Sequence, residues 1–140
     1  MRTPYDQIDP PVRNLVRVLN RFPGVETFTS CGGHPNALEG SSASPEGCWY
    51  VDSHIDRTDE GWATLEFFGW TAYSVAPDGV EFLPLAKPPH WNFPGSMLFF
   101  RWDGVDPDIP EATADHLAEL LTDCRRQFYV TALQASRWES

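Results

Sequence analysis

The chain has 140 residues, 41% of them hydrophobic and 14% aromatic, and its ten Lys and Arg against twenty Asp and Glu give a formal charge of −10. That length suits one α+β domain over 1–140, able to bury about two-thirds of its unfolded surface. The negative field repels phosphate backbones and anionic lipid over about 8 Å at cellular salt, which sets aside nucleic acid and membranes as partners.

Three cysteines make no disulfide framework. The sequence shows no signal-peptide core and no apolar run of membrane-spanning length. With reduced thiols, the expected compartment is the cytoplasm.

Asp9-Pro10-Pro11 opens a helix. Asp9 is the expected cap, and Pro10 takes a first-turn position where its missing N–H costs nothing. Val12, Leu15, Val16, Leu19 and Phe22 recur at helical spacing as an apolar face. Arg13, Arg17 and Arg21 share another face, expected to be solvated. Pro23-Gly24 ends the helix. Val25 to Ser30 then reads as a strand, rich in β-branched and aromatic residues. It delivers Ser30, Cys31, Gly32, Gly33 and His34 at its end, in front of Pro35. Paired glycines permit positive φ and close approach of a ligand to the backbone. The proline biases His34 away from the helical region. A thiol, a hydroxyl, an imidazole and backbone N–H groups are thus gathered where a strand stops, a usual place for binding loops.

Asn36 to Gly47 is expected as a loop, and Cys48 to Ile55 as a strand. Its alternation places Cys48, Tyr50, Asp52 and His54 on one face, Trp49, Val51 and Ile55 on the other. Thr58-Asp59-Glu60 suits a helix start. Trp62, Leu65 and Phe68 continue that helix and Gly69 ends it, with a strand over 63–70 as the competing reading. Thr71 to Ala76 and Val80 to Leu85 flank Pro77-Asp78-Gly79 and read as a hairpin. Lys87 to Gly95 reads as an aromatic loop, and Met97 to Trp102 as a strand closed by Asp103-Gly104. A last helix from Pro110 buries Leu117, Leu120, Leu121, Cys124 and Phe128, and Phe128 to Leu133 forms a final strand. The order implies an α+β fold with helices packed on a largely antiparallel sheet.

Zinc chemistry is suggested by Cys31, His34, Cys48 and His54. Cys-x2-His is acceptable spacing for half a site. On one strand, however, Cys48 and His54 stand about 20 Å apart and cannot share an ion. No metal is therefore assigned; a zinc protein using one of them with His90 is kept as a third reading. Thiolate catalysis by Cys31 beside His34 is also open, although no helix N-terminus follows Gly33 to support it.

Leu19-Asn20-Arg21-Phe22-Pro23, then Thr27-Phe28-Thr29-Ser30-Cys31-Gly32-Gly33, then Gly47-Cys48-Trp49-Tyr50-Val51-Asp52-Ser53-His54 form an ordered pattern. It resembles the methyltransferase family that acts late in making the wybutosine base of phenylalanine tRNA. That family carries a strand entering a Ser-Ser-Cys-Ser-Gly-Arg loop, then a strand with Trp and a terminal His. Ser30, Cys31, Gly33, Trp49 and His54 match; Thr29 stands where the family has Ser, and His34 where it has Arg. Met97 to Trp102, the helix through Leu121 and Tyr129-Val130-Thr131 follow in the family's order. The resemblance implies methyl transfer with S-adenosylmethionine, at a site on this loop.

The residues themselves give an expected small-molecule pocket. Ser30, Cys31, Gly32 and Gly33 bind the ligand, with backbone N–H groups on an anionic or carbonyl group. His34 or His54 is the catalytic proton donor or acceptor, and Asp52 orients it. The alternative is a non-enzymatic interaction module whose surface uses Phe67, Phe68, Trp70, Trp91, Phe93 and Trp102. Exposure of Trp70 and Trp91 separates that module from an ordinary core. The oligomeric state is left open.

Overall fold

A short turn of helix at Tyr5–Gln7 leads into helix α1, Pro10–Leu19. The computed structural model describes residues 5–34, 45–85, 97–105 and 113–126. Val12, Leu15, Val16, Leu19 and Phe22 are all buried, as their spacing requires. Asn20 then joins the end of α1 to the first strand. Its side-chain amide donates to Val16 O at 3.0 Å and Thr27 Oγ1 at 2.9 Å, and its Oδ1 accepts the Thr27 N–H at 3.0 Å.

Strands β1 (Val25–Cys31), β2 (Cys48–Asp56), β3 (Glu81–Pro84) and β4 (Met97–Val105) make one antiparallel sheet in the order β1-β2-β4-β3. The central strand β2 is buried from Trp49 to Ile55. Trp49, Val51 and Ile55 join α1 in the core, and Tyr50, Asp52 and His54 take the opposite face, so the expected alternation is found.

Helix α2, Asp59–Ser74, is capped as expected, with Thr58 Oγ1 accepting the Gly61 N–H at 3.1 Å. It does not stop at Gly69. Thr71 to Ser74 belong to it, which removes the expected hairpin; β3 pairs with β4 instead. The reason is packing. Gly61, Thr64, Phe67, Phe68 and Thr71 form one buried stripe, and Thr71 Oγ1 donates to Phe67 O at 2.9 Å. A mid-helix glycine costs about 1 kcal/mol, less than burying even one Phe returns. That stripe is also offset from the expected one, since Trp62 is exposed.

β4 likewise runs past Trp102, with Asp103 opposite Tyr50 and Gly104 opposite Trp49. Gly104 is needed there because a Cβ would lie 2.5 Å from the Trp49 ring. The indole N–H donates to Thr113 Oγ1 at 2.8 Å on helix α3, described over 113–126. Ala114, Leu117, Ala118 and Leu121 of α3 are buried; Leu120 and Cys124, expected in the stripe, are only half-buried at its edge. Three helices and one face of the sheet share this core, so the fold is α+β as expected. Residues 87–95 and 128–133, expected as an aromatic loop and a last strand, lie outside the described residues, as do Pro110 and most of 36–47.

Candidate functional site at the Cys-Gly-Gly-His loop

β1 ends at Cys31, and the two glycines beyond it are required for different reasons. A Cβ on Gly32 would stand 2.9 Å from Pro11 Cδ and Cγ at the start of α1. Gly33 has φ +94°, and a Cβ there would come 2.6 Å from Cys48 O and 2.9 Å from Pro45 O. The loop is therefore clamped between the first turn of α1 and the entry to β2. His34 forms an isolated bridge with Pro45 as the chain leaves.

Asp9 holds the loop to the helix. Its Oδ2 accepts the Gly32 N–H at 2.9 Å, and His34 Nε2 stands 3.2 Å from the same oxygen. Asp9 was expected to cap α1, yet its side chain makes no cap hydrogen bond. Pro11 has no N–H to offer, and the Val12 N–H is taken by the backbone Asp9 O at 3.1 Å. The double proline thus frees the carboxylate for the loop.

Cys31 lies buried behind this pair. A ligand atom from each of Asp9, Cys31 and His34 lies within 4.8 Å of the others, and they form the sole such group among the described residues. The His34 and Asp9 side chains are 50% and 34% exposed, so the front of the group is open to solvent. Ser30 pairs with Val51 and so shares the helix-facing side, one step away from Cys31, which pairs with Tyr50.

Asp52 and His54 do not join the loop. Cys31 is opposite Tyr50, so His54 lies four residues further along β2, about 13 Å. The carboxylate expected to orient an imidazole, Asp52, is held by Arg101. Its Nε donates to Asp52 Oδ1 at 2.7 Å and its second nitrogen to Oδ2 at 3.0 Å. The guanidinium also lies 4.1 Å over the Tyr50 ring. The Asp52 hydrogen bonds hold the Arg101 pKa above its usual value, and burial pushes the Tyr50 phenol up. Cys48 and His54 occupy opposite ends of an unbroken ladder with β4, so they do not share an ion.

His54 has surroundings of its own. It stacks on Phe28 at 6.3 Å and meets Phe99 edge-on at 6.2 Å. It borders a cleft of about 350 Å³ that Glu26, Asp56 and Asn20 also line. Burial lowers its pKa from 6.5, against the opposite pull of Glu26 and Asp56. The unfolded chain therefore binds this proton first. The contribution to stability is whole above about pH 6.5 and is lost as the pH falls below it. Between about pH 7 and 5, the denaturant midpoint should fall further in the native protein than in His54→Phe. Equal falls would assign the loss to another group.

Sequence reasoning missed two residues. The signal for Asp9 was the second proline, which leaves a cap little to bind. The signal for Arg101 was a lone cation in the aromatic strand Phe99-Phe100-Arg101-Trp102, facing a strand that carries Asp52.

Part of the expected aromatic surface is core. Trp102, Phe67 and Phe68 are fully buried, and Trp91 and Phe93 lie outside the described residues. Trp70 is 41% exposed, together with Trp62 at 51% and Tyr73 at 94% on the same helix. No helix among the described residues is long and apolar enough to cross a membrane. No family model, no curated protein and no solved structure matches this chain.

Proposed function

We propose that the chain binds a small polar ligand at the Ser30–His34 loop and acts on it as a methyltransferase-like enzyme. Its substrate is small or nucleotide-like, and S-adenosylmethionine is the donor that the motif resemblance implies. One observation carries the site: a single Asp9 oxygen holds the Gly32 N–H and faces His34 Nε2. The loop is thereby fixed before any ligand arrives, which cuts the ordering cost of binding. His34 is the half-exposed side chain placed to touch a ligand. Support for methyl transfer comes from the matched Ser30, Cys31 and Gly33; Trp49 is accounted for by its packing on Gly104. The charge of −10 favours a small molecule over tRNA.

Two titrations at about 0.15 M salt test this reading: S-adenosylmethionine by calorimetry and bulk tRNA by anisotropy. The donor should bind, and His34→Ala should weaken it about tenfold, or 1.4 kcal/mol, with unchanged melting temperature. Micromolar tRNA binding that collapses with added salt would overturn the small-ligand assignment. Binding of neither would favour a second reading, a protein-interaction module. Its support is the α2 surface, where Trp62 and Tyr73 lie three turns apart on one exposed stripe, with Trp70 beside it.

A further inference from the structure

Asp9, Cys31 and His34 come from three elements: the start of α1, the end of β1 and the loop beyond two glycines. They bring a carboxylate oxygen, a sulfur and an imidazole nitrogen within 4.8 Å of one another. The spacing fits one metal ion. In a tetrahedral zinc site, bonds of about 2.0 Å to N and O set those two ligand atoms roughly 3.3 Å apart, and each roughly 3.6 Å from a thiolate. Asp9 Oδ2 and His34 Nε2 are 3.2 Å apart, already the edge of such a tetrahedron. Gly32, whose N–H donates to the same Asp9 oxygen, fixes the carboxylate from outside, as outer hydrogen bonds do around protein metals. The glycines make this convergence possible, since a side chain at either position would push the loop off α1 or β2.

We propose that Asp9, Cys31 and His34 bind one divalent transition-metal ion of the zinc class. The donor set selects the ion. A thiolate disfavours magnesium and calcium, which take oxygen ligands, while sulfur with imidazole suits zinc. Three protein ligands and an open fourth position are the pattern of zinc sites that act on a bound molecule. Cys31 closes the back of this site, and the half-exposed Asp9 and His34 leave the fourth position toward solvent. This ion rests on the reading of the loop as a ligand site, because it would hold the ligand's anionic or carbonyl group there.

The test uses the full chain, freed of metal with a chelator and titrated with cobalt(II), then zinc(II). One equivalent of cobalt should give a thiolate-to-cobalt band in the near ultraviolet and visible bands of tetrahedral intensity, both displaced by zinc. Cys31→Ser should abolish the thiolate band. His34→Ala and Asp9→Asn should each weaken binding at least tenfold; Asn keeps an acceptor for Gly32, so the loop stays in place. Circular dichroism checks that each variant folds, and Cys48→Ser should leave the bands unchanged. Absence of a one-equivalent thiolate band would overturn the proposal, as would a band that survives Cys31→Ser or disappears in Cys48→Ser. Cobalt bands without binding of S-adenosylmethionine would keep the ion and sink the methyl-donor reading. Donor binding to metal-free protein that takes up no cobalt would do the reverse.

Discussion

Arg101→Met is expected to destabilise the protein by about 3 kcal/mol, because it strands a buried carboxylate. Asp52 is buried in the middle of β2, and Arg101 binds both of its oxygens. The Arg101 side chain is about one-third exposed, so water screens part of the attraction between the two. The loss comes mainly from the carboxylate left without donors. Asp52→Leu should cost less, about 1–2 kcal/mol, since the released guanidinium can extend along its stem toward water. The double variant Asp52→Leu/Arg101→Met should recover most of the Arg101→Met loss, as replaced buried ion pairs often do. Urea denaturation of the four proteins decides it. An Arg101→Met cost no larger than that of Asp52→Leu would show that Asp52 is not held as described. The pair also matters for the loop, since the same guanidinium lies on Tyr50, which is the partner of Cys31 in the ladder.

The parts of the fold legible in sequence were those written in short-range patterns. The apolar spacing of α1, the β-branched run of β1 and the alternation of β2 each follow from residues a few positions apart. Cross-strand register does not. Asp52 and His54 share a face two residues apart, which invited a partnership, but the partner of Asp52 came from β4 by the pairing Asp52 with Arg101. Nothing local to either strand specifies that alignment. Pro77-Asp78-Gly79 is a turn, as its residues imply, with the Val80 N–H donating to Pro77 O at 3.1 Å. It joins a helix to a strand, because Phe67, Phe68 and Thr71 before it pack as a helix face and strand propensity yields to burial. At the loop, Cys31, Gly32, Gly33 and His34 were legible as a cluster because they are contiguous. Asp9 was not, since it sits 22 residues before Cys31 and carries the local look of a cap.

The two glycines inside α2 should respond to alanine with opposite signs. Gly61 sits in the first turn of the helix, hard against the end of β2. A Cβ there would overlap the Asp56 carbonyl oxygen, lie 2.9 Å from its carbon, and come 3.3 Å from the Thr58 hydroxyl that caps the helix. The obstacle is backbone, so no side-chain rotation relieves it. Helix propensity offers Gly61→Ala about 1 kcal/mol, and overpacking against fixed atoms costs about 3 kcal/mol. The net expected effect is a loss of roughly 2 kcal/mol or more. Gly69 is exposed, and a Cβ there meets nothing within 4 Å. Gly69→Ala therefore keeps the propensity gain of about 1 kcal/mol. At roughly 3–4 °C per kcal/mol for a domain of this size, the two variants should melt about 10 °C apart, on either side of the native protein. Thermal unfolding followed by circular dichroism reads both. A Gly61→Ala protein as stable as the native one would mean that α2 does not rest on the end of β2. That seat matters beyond stability, because it fixes Asp56 at the edge of the cleft that His54 and Glu26 share.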